Sequence, residues 1–196
     1  MPAIVNVEEC NGSGVGTWTP ITQGRYCTRD GFNPQLQDPC IVPLADFNRS
    51  YAKSHRLAWT APSVSISDIR WYTSGNIKNT WHLGTGGMLL VCVKSTGDNG
   101  CPTASYVQAT GVQGTSGDNV DDAGVGHTYY KIGSSNHHVP VDADTYLSTN
   151  PLVVDSNTYG AISGHSYHVV SQALIASDAI QGDQSNETVT WRYNEI

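Results

Sequence analysis

The side chains of this 196-residue sequence that could do chemistry begin with a run of aspartates. Asp118, Asp121 and Asp122 lie in the Gly-rich stretch 111–126. Flexible loops rich in carboxylates suit calcium, which takes oxygen ligands. The EF-hand pattern, Asp-x-Asp/Asn-x-Asp/Asn-Gly with a distal Glu, is absent. The same residues also fit solvated turns, where Asp bonds to nearby backbone. Calcium is therefore the one ion to consider here, and no resident cofactor is expected.

Histidines come next. His165 and His168 are three apart, His137 and His138 are adjacent, and His127 follows the Asp-rich stretch. Positions three apart on one strand face opposite sides. A metal site through His165 and His168 needs a turn between them. Covalent and acid–base catalysis find less to use. Gly164-His165-Ser166 is not the Gly-x-Ser-x-Gly elbow. A glycosidase needs two carboxylates flanking the scissile bond, and Glu8, Glu9, Glu187 and Glu195 all lie near the chain ends. An enzyme is not expected.

The cysteines number five, Cys10, Cys27, Cys40, Cys92 and Cys101, an odd count that leaves at least one outside any intrachain bridge. Cys92 and Cys101 flank a polar turn and could close a hairpin mouth. Cys27 and Cys40 flank a Pro-containing loop and could pair likewise. No Cys-x-x-Cys occurs, so zinc-ribbon spacing is missing. Trp18, Trp59, Trp71, Trp81 and Trp191 could stack on sugars. Trp59, Trp71 and Trp191 share parity with aliphatic neighbours and read as core, which leaves Trp18 and Trp81 less committed.

The elements that must position these groups are strands. Charged residues make up 14 % of the chain, well below the usual share of about a quarter, and Ser, Thr, Asn, Asp and 20 Gly supply the polarity instead. That composition disfavours helix surfaces, which use Glu, Lys, Gln and Arg. Residues 64–73, 87–94 and 104–110 read as successive strands, with a weaker one near 80–83. Six apolar residues in a row, Met88 to Val93, suit a strand covered on both faces. In 64–73 the apolar parity changes. Val64 and Ile66 share one phase and Ile69 and Trp71 the other, so a β-bulge is expected at Ser67-Asp68. Within 49–61, Tyr51, Leu57, Trp59 and Ala61 share a face with Lys53 and His55 between them. Short strands are also expected at 3–7, 127–132, 145–148 and 152–155. Residues 166–176 read as a strong strand, whose end, 172–180, alternatively fits a helix. Val189, Trp191 and Tyr193 alternate cleanly near the end of the chain.

The fold class this predicts is all-β: an antiparallel β-sandwich, jelly-roll or immunoglobulin-like, with long loops and little or no helix. Residues 1–45 read as an extended or irregular N-terminal arm, and 46–196 as the sandwich. Net charge is −7 and the basic residues are scattered, which argues against nucleic acid and anionic membranes. No apolar run reaches the length of a membrane span. The opening Met1-Pro-Ala-Ile-Val5 has no basic region and too short an apolar run for a secretion signal. Synthesis in a host cytoplasm is the expectation, with a virion or extracellular particle as the final location. The function class that fits is a structural assembly protein. A virion component of a prokaryotic virus (capsid decoration, minor capsid or tail protein) is expected, acting through self-association or contact with other structural proteins. A carbohydrate-binding or lectin-like domain is the alternative, and a hydrolase or metalloenzyme on a β scaffold the next.

Overall fold

The structure, a computed structural model, describes residues 2–11, 16–28, 31, 38–62, 64–94, 120 and 141–196. Over these residues the chain forms β1 (Val5–Asn11), β2 (Thr17–Ile21), β3 (Phe47–Arg49), β4 (Lys53–Trp59), β5 (Ile66–Tyr72), a one-turn helix α1 (Ile77–Thr80) and β6 (Met88–Lys94). There follow β7 (Val141–Asp142), a 3-10 turn (Ala143–Thr145), β8 (Leu152–Asp155), β9 (Gly164–His165), β10 (His168–Ala176) and β11 (Thr190–Glu195). The fold is all-β and the described strand pairs are antiparallel. The larger sheet runs β2-β1-β4-β10-β6-β7, with β3 on β10 and β9 on β4; the smaller runs β11-β5-β8. Both sheets feed one core: Leu57, Trp59, Leu89, Val91 and Val169 from the larger, Ile66, Ile69, Trp71, Leu152 and Val154 from the smaller.

The bulge expected at Ser67-Asp68 is present. Arg192 pairs with Arg70 but Asn194 pairs with Ser67, so Tyr193 alone opposes Asp68 and Ile69. Asp68 adopts φ 52°, in the left-handed region that Asp tolerates better than most residues. The inserted residue returns Ile69 and Trp71 to the face of Ile66, and all three are buried. Strand β6 is covered on both sides: Leu89, Val91 and Val93 face the main core, while Leu90 and Cys92 pack with Ala52, Val120 and Val170.

Several local expectations are corrected. Val64 does not share the burial of Ile66: it lies exposed beyond the strand end, its N–H bonded to the Ile196 carbonyl. The weak strand near 80–83 is instead the end of α1 and a turn. A distant carboxylate makes that helix, because Asp144 accepts hydrogen bonds from the Ile77 and Lys78 N–H groups at 2.8 and 3.0 Å. The helical alternative for 172–180 gives way to strand as far as Ala176, whose N–H bonds to the Leu83 carbonyl. Thr145 closes a 3-10 turn and begins no strand. The segment read as an N-terminal arm supplies β1 and β2. β1 lies between β2 and β4, so Val5–Asn11 and Thr17–Ile21 belong to the larger sheet. The strands expected at 104–110 and 127–132 lie outside the described residues.

Candidate functional site

Among the described residues, a concentrated set of ionisable groups is on the inward face of the larger sheet. Register builds it. Glu9 on β1 stands opposite His55 on β4, and Ser171 on β10 stands opposite Lys53. On β1 and β4 the same face carries Val7 opposite Leu57 and Val5 opposite Trp59, so charge and core share one pleat. Lys53 and Glu9 are each 1 % exposed. The Lys53 ammonium donates to Glu9 Oε1 at 2.8 Å and to the Gly31 carbonyl at 3.1 Å. Asn11 Nδ2 donates to the same carboxylate oxygen at 3.0 Å, and His55 Nε2 lies 3.2 Å from Glu9 Oε2. Close by on β10, Ser171 Oγ meets Tyr26 Oη at 2.6 Å. Gly24 lies over the cluster: a Cβ there would sit 3.5 Å from His55 Nε2.

Burial by itself would push the Glu9 carboxyl up. The hydrogen bond and charge of His55, then those of Lys53, outweigh it and hold Glu9 at about 2. Burial likewise raises the Tyr26 phenol, against the opposing hydrogen bond to Ser171. A carboxylate, an ammonium and an imidazole are the parts of an acid–base site. Here, however, Glu9 and Lys53 face one another, and neither of the two depressions described among these residues opens on them. The two best-formed depressions lie elsewhere. One, of about 450 Å³, is lined by Lys78, His82, Thr85 and Asp178. The other, of about 330 Å³, is lined by Tyr159, Ile162, Gly164 and His165. In the first, Asp178 is engaged by the Thr85 N–H and hydroxyl at 2.8 and 2.6 Å. The Glu9 cluster therefore reads as an internal ion group that holds β1 on β4.

The outward face of the same strands carries a second group. Arg56 Nε donates to Glu8 Oε2 at 2.7 Å, and the guanidinium lies 4.1 Å from the Trp18 ring centroid. Trp18 stacks on His168 at 5.0 Å, and His168 on His165 at 6.0 Å. His165 ends β9 and His168 begins β10, and across the break between these strands the two rings come together as a stack. Among the described residues no group of three His, Cys, Asp or Glu is placed to hold a metal ion. Asp118, Asp121 and Asp122, with His127, His137 and His138, lie outside the described residues. Asp142 serves a local turn, accepting from the Asp144 N–H at 3.0 Å, while the Asp144 carboxylate caps α1.

Neither expected cysteine bridge is present. Cys27, Cys40 and Cys92 carry thiols, and Cys101 lies outside the described residues. Cys10 alone among the described cysteines is disulfide-bonded. Trp59 and Trp71 are core residues, and Trp191 packs against the same core. Trp81 is committed too, its indole N–H bonding to the Ser185 carbonyl at 3.1 Å and its ring lying against Tyr26. Sequence reasoning missed the pairing of Glu9 with Lys53. The available signal was parity, because Lys53 and His55 share a face with Leu57 and Trp59.

Among the described residues no helix is long and apolar enough to cross a membrane. Compared with protein-family models, curated proteins and solved structures, the chain matches none.

Proposed function

We propose that this chain is a structural component that works by assembly through protein–protein contacts. A virion component of a prokaryotic virus, in a capsid-decoration, minor-capsid or tail role, is the form the sequence favours. The observation that carries the reading is an apolar patch at one end of the molecule. Ile4, Val64, Ile162 and Ile196 are between 57 and 71 % exposed. Backbone and side-chain bonds gather them. The Thr60 N–H bonds to the Ile4 carbonyl and the Val64 N–H to the Ile196 carbonyl. The Trp59 indole bonds to the Ile162 carbonyl, and the Ala3 N–H to Glu195 Oε1. Isolated exposed aliphatics need no explanation, whereas several held near one another by such bonds support a contact surface.

Sedimentation of the full chain across a concentration series tests this reading. The expected result is reversible self-association, weakened about tenfold or more when Ile4→Glu and Ile196→Glu are combined, since anchors near an interface centre dominate its energy. A chain that stays monomeric throughout, and is missing from particles purified from its source, overturns the proposal.

A further inference from the structure

The backbone on either side of residues 29–37 meets at one bond, the Thr28 N–H to the Asp38 carbonyl at 3.3 Å. Cys27 precedes that bond by one residue and Cys40 follows it by two. Cys27 is wholly buried and Cys40 partly so. That bond sets the backbone next to Cys27 against the backbone next to Cys40. Burial pushes the Cys40 thiol up to about 12, and the neighbouring Cys27 adds to that against the pull of Arg25.

We propose that Cys27 and Cys40 are a redox pair, a dithiol in the reduced protein that closes to a disulfide on meeting an oxidising thiol–disulfide couple such as glutathione disulfide. One cysteine thiolate attacks a glutathione disulfide sulfur and expels a glutathione thiolate. The second cysteine thiolate then attacks the protein sulfur of the mixed disulfide and expels the other glutathione. One protein S–S bond forms, the glutathione S–S bond is broken, and the two cysteine protons end on the two glutathione thiols. Buried thiols are poor nucleophiles, so exchange proceeds through local opening of the backbone at Cys27. Opening must break the bond from the Tyr51 N–H to the Cys27 carbonyl. Closure of the pair ties residues 27 and 40 together on the larger sheet. The proposal is independent of the assembly reading.

The test uses the full native chain equilibrated in glutathione buffers of increasing oxidised fraction, with and without urea below the unfolding transition. Alkylation and non-reducing tryptic digestion follow. Cleavage after Arg25, Arg29 and Arg49 places Cys27 in peptide 26–29 and Cys40 in peptide 30–49. The expected result is one disulfide-linked species of these two peptides, forming faster in urea and absent from Cys40→Ser. Hydrogen exchange of the Tyr51 amide should slow by about tenfold or more in the oxidised protein. Separate peptides with both cysteines alkylated at the most oxidising ratio, in urea as well as without it, overturn the proposal. So does linkage of Cys27 to a different cysteine.

Discussion

On the outer face of β1 and β4, Glu8 meets Arg56 at 2.7 Å; on the inner face, one residue further along β1, Glu9 meets Lys53 at 2.8 Å. The partners are alike in charge and distance. Their surroundings differ. Glu8 and Arg56 keep 17 and 16 % of their side-chain surface in solvent, whereas Glu9 and Lys53 keep 2 and 1 %. In the outer pair water screens the attraction, and Arg56 keeps the Trp18 ring if Glu8 is lost. In the inner pair Lys53 left alone would be buried without a counter-charge, while Glu9 left alone would keep only His55. Two adjacent residues thus perform different tasks. Glu8 tunes a surface, while Glu9 makes the register of β1 on β4 costly to change.

The sharpest way to break this contrast is Glu9→Ala. Stranding the Lys53 ammonium should cost about 3–5 kcal/mol in urea unfolding. Glu9→Leu with Lys53→Met should recover most of that loss. A double variant as unstable as the single one would mean that the inner pair acts through its shape and not its charge.

Acid gives a slightly smaller effect. The folded Glu9 carboxyl is held at about 2, against 4.5 when unfolded. A depressed carboxyl contributes stability above its unfolded value and loses it as the pH falls from 4.5 towards 2. The loss should be about 3 kcal/mol. Urea midpoints measured down this pH range should fall for the native chain and stay flatter for Glu9→Gln; parallel curves would remove Glu9 as the cause.

The smallest effect is expected outside. Glu8→Gln should cost less than about 1 kcal/mol and lose its cost in high salt. A salt-independent cost approaching that of Glu9→Ala would erase the distinction between the faces.

How much of this was legible depended on where the determining contacts lie in the chain. The bulge at Asp68 could be read because Ile66, Ile69 and Trp71 record the phase change within six residues. β6 could be read because its own apolar run declares both faces. The helix α1 could not, since its first N–H groups are satisfied by Asp144, far along the sequence. The inner ion group stayed hidden for the same reason: Glu9 and Lys53 are 44 positions apart. Parity placed Lys53 on a buried face, but no local pattern named its partner. Thr17–Ile21 went unread because Pro20 and the preceding glycines signal loop. Within the described order β2 is a terminal strand of its sheet, the position where proline is tolerated.

The bond from the Ala3 N–H to Glu195 has a consequence for connectivity. It brings the first and last strands to one corner, so the chain is nearly a closed ring, and the point at which it is cut is arbitrary as far as the sheets are concerned. Gly182, at φ 132° and, among the described residues, with nothing beyond its chain neighbours within 4 Å of where a Cβ would stand, sits in a bend before β11. A permuted chain opened there and joined across the corner would begin with β11 and retain the same strand pairs in both sheets.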